Sequence, residues 1–123
     1  MAESFRDLLS WQKAMALVTE IYRATAGFPR DEMYGLTCQV RRSAVSVPSN
    51  IAEGKGRFSK KEFGHFLSNA RGSLCEMQTQ LEIARNLGYL PEARFDELDQ
   101  QSREVGRMLN GLMKALRASS EPE

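Results

Sequence analysis

Apolar positions recur along this chain in steps of three and four, the spacing of one helix face. Trp11, Ala14, Met15, Val18, Ile21, Tyr22 and Thr25 form the first such stripe, with Ser10 placed to cap it and Gly27-Phe28-Pro29 to end it. Asp31 is placed to cap a second helix, in which Leu36, Val40, Ala44, Val47 and Ile51 share a face, and Gly54 and Gly56 follow as stops. Ser59-Lys60-Lys61-Glu62 has the form of a capping box. Behind it Phe63, Leu67, Ala70, Leu74, Met77, Leu81 and Ala84 alternate steps of four and three up to Gly88. Pro91 suits the first turn of a fourth helix carrying Phe95, Leu98, Ser102, Val105, Leu109, Leu112 and Leu116. The predicted helices cover about 10–26, 31–53, 60–88 and 91–118, with a frayed tail over 119–123. No strand pattern competes. Short links between long helices make neighbours antiparallel, so the expectation is all-α: one antiparallel up-down four-helix bundle domain over 1–123.

The second helix carries an oddity. Pro48 lies between apolar positions, although proline in a helix interior costs about 3 kcal/mol or more. Around it stand polar groups that a helix does not need. Pairing the second and third helices about a turn centred near Arg57 sets Arg42 level with Gly72 and Ser73, Ser46 with Ser68, and Asn50 with Gly64. Small residues on both sides allow close approach, and the hydroxyls and Asn50 can take up carbonyls loosened around Pro48. Arg42, Ser46, Asn50, Glu53, Ser73 and Glu76 are therefore read as a structural polar seam, with a partly buried Arg42–Glu76 pair inside it. The same register brings Cys38 near Cys75 as free, buried thiols.

Charge adds a second theme. The chain has 123 residues, is 41% apolar and 27% charged, and carries a net +1. Residues 1–37 hold 4 basic and 5 acidic groups, 38–75 hold 7 and 2, and 76–123 hold 6 and 9. The basic middle points to a polyanion-facing patch, though a solvated helical turn would look the same. Off-stripe apolar residues (Phe66, Met108, Met113, and Tyr34, Phe58 and Tyr89 near helix ends) point to self-association. The chain begins without a signal-peptide pattern, no run is long and apolar enough to span a membrane, and two cysteines make no disulfide framework; a cytoplasmic location is expected.

Chemistry is sparse. His65 is the only histidine, so histidine metal cages and histidine-based triads lack partners. A di-iron bundle needs E-x-x-H motifs on two inward faces, which one histidine cannot supply; there is no P-loop, and Gly54-Lys55-Gly56-Arg57 follows a helix rather than a strand. The expectation is a non-enzyme with no catalytic residues, metal or cofactor.

Arg41-Arg42-Ser43-Ala44-Val45-Ser46-Val47-Pro48-Ser49-Asn50-Ile51-Ala52-Glu53-Gly54 resembles the "R-R-A-x-x-S-I-P-x-N-I-A-E-G" signature of the 23S rRNA intervening-sequence proteins, also called four helix bundle proteins. Phe5-Arg6-Asp7-Leu8, Trp11-Gln12-Lys13-Ala14, Ile21-Tyr22, Phe28-Pro29, Glu32-Met33-Tyr34-Gly35-Leu36 and Gly72-Ser73-Leu74-Cys75-Glu76 fit in order, so the likeness spans about 5–117. Val47 and Cys75 are mild variations. The resemblance implies a bundle that assembles as a ring-like homopentamer. It also implies a likeness to accessory proteins of diversity-generating retroelements, basic pentamers that bind nucleic acid and a reverse transcriptase. This chain is near neutral instead, although fivefold symmetry would turn its basic segment into a ring of charge.

Two functions follow as expectations. The first is nucleic-acid binding, structured RNA favoured, through Lys55, Arg57, Lys60 and Lys61, with Arg41, Arg71 and His65 as outer contacts. Phe58 in the same turn can stack on a base or pack on its own bundle. The alternative is a scaffold for a polymerase-like or other protein partner.

Overall fold

The computed structural model describes residues 4–120, so Glu121, Pro122 and Glu123 of the expected frayed tail lie outside the described residues. Four long helices carry the fold: α1 (Leu9–Thr25), α2 (Leu36–Lys55), α3 (Lys60–Asn86) and α4 (Glu92–Ser120). Short 3-10 turns at Phe5–Asp7 and Arg30–Glu32 precede α1 and α2, and no strand occurs among the described residues. Each helix packs on two neighbours, α1 on α2 and α4, α3 on α2 and α4, around one core. Ion pairs Glu20–Arg94 at 2.7 Å and Lys13–Glu104 at 3.3 Å run α1 and α4 antiparallel. Ser43–Gln80 and Ser46–Ser73 do the same for α2 and α3.

The core follows the predicted stripes closely in three helices. Val40, Ala44, Val47 and Ile51 of α2, Leu67, Ala70, Leu74, Met77, Leu81 and Ala84 of α3, and Leu98, Val105 and Leu109 of α4 are buried. In α1 the buried line is Ser10, Ala14, Leu17, Ile21 and Thr25, leaving Met15 and Tyr22 exposed. The expected stripe is wider than the buried line and lacks Leu17, which lies between its two flanks.

Several helix ends differ from expectation, each for a local reason. Ser10 does not cap α1; the helix begins one residue earlier, and Ser10 is buried with its hydroxyl unpartnered among the described residues. Asp31 does not cap α2 either. It sits in the 3-10 turn, and the Glu32 carboxylate accepts from the Leu36 N–H at 3.1 Å, which delays α2 to Leu36. α3 starts as predicted, with Ser59 Oγ accepting from the Glu62 N–H at 3.0 Å. It ends at Asn86, two residues short of the expected 88, and Gly88, with a φ of 78°, closes the turn while the Tyr89 N–H bonds the Ala84 carbonyl at 2.9 Å. Pro91 stands just before α4, its carbonyl accepting from the Phe95 N–H at 2.9 Å.

Gly54 is no stop signal. α2 runs through it to Lys55, and a Cβ there would stand 2.7 Å from Phe66 Cβ and 3.0 Å from Phe63 Cδ1. Gly54 thus marks a close approach of α2 and α3. The register is also shifted: Ser46 Oγ meets Ser73 Oγ at 2.8 Å, not Ser68, five residues further along or about 7.5 Å of helix rise. The first turn of α3 overhangs the end of α2, so the pairing is not centred on Arg57. In consequence Cys38 and Cys75 are not level, and Cys75 is exposed. The partly buried Arg42–Glu76 pair does not form either: both residues are exposed, lining a shared groove without an ion pair between them. The buried polar link is Ser43 to Gln80 instead, at 2.6 Å, with the residues 3% and 9% exposed.

Pro48 is buried inside a continuous helix. Asn50 Nδ2 donates to the Ser46 carbonyl at 2.8 Å and to Ser46 Oγ at 2.9 Å, so Ser46 joins Asn50 to Ser73 across the seam. Glu53, expected in the seam, is exposed at the end of α2. At the opposite end of the bundle, hydrogen bonds from Arg94 and Arg23 hold the Glu20 carboxyl below the usual carboxylate range. Tyr89 donates to Glu32 at 3.0 Å, and that carboxylate pushes the phenol up.

Gly54→Ala should lower stability by about 1–3 kcal/mol through overpacking. Gly72→Ala, where an added Cβ meets nothing within 4 Å, should raise it by up to about 1 kcal/mol through helix propensity. Equal effects of the two changes in urea unfolding would remove the close approach at Gly54 from the account. Ser43→Ala should cost about 1–3 kcal/mol by leaving the buried Gln80 amide unpaired, and adding Gln80→Met should recover most of it; failure of the double variant to recover would mean that the pair is not the source of the loss.

Candidate nucleic-acid interface

The α2–α3 turn is short and tightly bonded. The Gly56 N–H lies 3.2 Å and 3.1 Å from the Ala52 and Glu53 carbonyls, and the Arg57 N–H bonds Gly54 at 3.1 Å. The Arg57 guanidinium is drawn back onto the protein, paired with Glu53 at 2.6 Å and lying over the Phe66 ring at 4.9 Å. Part of its charge is therefore already neutralised. Phe58, next to it, is fully exposed. Lys60 and Lys61 follow in the first turn of α3, where the helix dipole is already positive. Cations there work against helix stability by about 0.3–1 kcal/mol each, and they reinforce a potential that attracts anions.

These two lysines open a groove of about 720 Å³ between the beginning of α3 and the end of α4. Its lining is Lys60, Lys61, Gly64 and Arg71 from α3 and Asn110, Met113, Lys114, Leu116 and Arg117 from α4. Among the described residues, five cationic side chains and no carboxylate line it. Gly64 keeps one wall low, since nothing lies within 4 Å of where its Cβ would be. Met113 and Leu116, packed against the core, supply apolar surface.

Lys114 and Arg117 were not anticipated from the sequence. The last third is acidic in sum, yet its carboxylates stop at Glu104 and resume only at Glu121, while Arg107, Lys114 and Arg117 fall between. Counting by helix turn rather than by thirds would have shown a basic end to α4, which also complements the negative end of its dipole.

The other expected contacts divide. Arg71 joins the groove, and Lys55 is half-buried at the end of α2. His65 lies beside Arg57, Lys61, Glu62 and Phe66 in a smaller groove, its ring edge-on to Phe66 at 5.8 Å. Arg41 is elsewhere, some four helical turns back along α2. Its Nε donates to Thr25 Oγ1 at 2.8 Å, its Nη2 to the Tyr22 carbonyl at 3.3 Å, and its guanidinium lies over the Tyr22 ring at 4.5 Å. It ties α2 to the carbonyl end of α1. Arg42, Ser46, Ser73 and Glu76 line a separate polar groove over the α2–α3 seam, of about 480 Å³.

Arg41→Ala should therefore lower the unfolding midpoint, at a cost of about 1–3 kcal/mol for its charge-assisted bonds, and leave polyanion retention on heparin unchanged. Lys60→Ala/Lys61→Ala should do the reverse, weakening retention without loss of stability. A heparin elution shift for Arg41→Ala as large as that of the lysine pair would return Arg41 to the interface.

No curated protein matches the chain significantly. Among solved structures it is similar to a protein of unknown function from the S23 ribosomal protein family of Bacteroides thetaiotaomicron VPI-5482. The likeness has a TM-score of 0.78 at 20% identity and covers 86% of this chain and 99% of that one, which shows a shared fold. The sequence also matches the 23S rRNA-intervening sequence protein profile over residues 6–111, most of its length. On that match the chain belongs to the 23S rRNA-intervening sequence protein family.

Proposed function

We propose that this protein is a non-enzymatic, oligomeric RNA-binding bundle that holds phosphates along its basic end. The observation that carries the reading is the α3–α4 groove, where Lys60, Lys61, Arg71 and Lys114 converge from two helices among the described residues. The lysines at the start of α3 strengthen it, since they stand where a helix favours anions. Lys60, Lys61, Arg71 and Lys114 are the principal phosphate contacts, with Lys55 and His65 at the margin and Arg57 restrained by Glu53. Such contacts position RNA without reading its sequence. Family membership supports a homopentamer, and five copies would repeat the basic end around a ring. The resemblance read from the sequence to retroelement accessory proteins favours nucleic acid as ligand; a cytoplasmic setting suits it, and no described helix is long and apolar enough to cross a membrane.

A scaffolding role has one observation in its favour. Met33, Tyr34, Ile83 and Leu87 are exposed at the opposite end of the bundle, where Tyr89 joins the two loops through Glu32. A protein partner could be held there while RNA occupies the basic end.

Binding to labelled RNA should weaken steeply from low to physiological salt. The Lys60/Lys61/Arg71/Lys114 quadruple alanine variant should reduce the log–log salt slope by about 3, four contacts at about 0.7 each. Sedimentation should give five times the 13.9 kDa chain mass. Binding that survives the quadruple change at every salt concentration would place the interface elsewhere, and a partner retained after nuclease treatment would favour the scaffold.

A further inference from the structure

Phe58 is the most exposed large apolar side chain among the described residues, at 106% relative accessibility. The chain has six phenylalanines, and the other five are buried or half-buried. It does not pack on its own bundle. Its neighbour Arg57 is folded away onto Glu53 and Phe66, which leaves the ring uncovered at the tip of the turn. Two residues further on, at most about 7 Å of chain, Lys60 opens the α3–α4 groove.

An aromatic platform beside a cationic groove is the arrangement that holds a single nucleic-acid strand: bases stack on the ring while phosphates follow the charge. A base can lie on the exposed ring only when it is unpaired and unstacked from its own helix, which a duplex does not offer. We infer that the ligand is an unpaired RNA strand, with one base stacked on Phe58 and its phosphates continuing past Lys60 and Lys61 toward Arg71 and Lys114. The inference rests on the reading of this chain as an RNA binder and narrows the ligand from structured RNA in general to its unpaired stretches. Stacking accepts any base, so sequence preference is weak.

The test is fluorescence anisotropy at low salt with one labelled RNA oligonucleotide, presented alone or annealed to its complement. The single strand should bind more tightly than the duplex. Phe58→Ala should weaken single-strand binding by about 5- to 150-fold, with the salt slope unchanged, and Phe58→Trp should retain it. Equal affinity for the two forms, or a neutral Phe58→Ala, overturns the inference and leaves phosphate binding standing. Absence of binding to either form overturns both. A changed solution mass for Phe58→Ala assigns the ring to a subunit contact. Loss of phosphatidylserine-vesicle binding with RNA binding intact assigns it to a membrane surface. Either result overturns the inference as well.

Discussion

The close approach of α2 and α3 governs the remainder of this structure. Gly54 lies so near Phe63 and Phe66 that a single added carbon would collide with the facing helix. Further along the same seam, Ser46 meets Ser73 and the buried Ser43 meets Gln80. Small side chains set the distance between the helices, and the two polar contacts set how far one is slid along the other. A slip of one turn would separate both pairs and leave the Gln80 amide buried without a partner, at a cost comparable to a large core mutation. That constraint decides what protrudes. With α3 displaced by more than a turn, its first residues extend beyond α2, and Lys60 and Lys61 stand clear at the mouth of the groove shared with α4.

The core of the bundle was legible in the sequence because each of α2, α3 and α4 buries one narrow stripe, and periodicity reports a narrow stripe faithfully. α1 was less clear, since Trp11, Met15, Val18 and Tyr22 flank Leu17 on both sides and all carry apolar side chains. Register was not legible. It was inferred from a turn taken as symmetric, whereas the structure sets it by packing at Gly54 and by hydrogen bonds between residues distant in sequence. The mistaken Arg42–Glu76 pair and the supposed proximity of Cys38 to Cys75 both descend from that one assumption.

The candidate interface was legible by half. Lys60, Lys61 and Arg71 come from the segment whose charge balance drew attention, but a groove needs two walls. The second wall belongs to α4, whose basic end was concealed by the acidic residues of its first half. Arg41 shows the opposite error. Proximity in sequence to a basic run gave it a phosphate, and the structure gives it Thr25, the Tyr22 carbonyl and the Tyr22 ring.

The lysines at the start of α3 also have a thermodynamic consequence. Their charges oppose the dipole of α3, an opposition that Glu62 in the same turn offsets only in part. A bound polyanion would relieve it. Occupancy and folding are then linked: whatever ligand settles there raises the stability of the bundle by mass action, and the start of α3 is the part of the backbone that gains most.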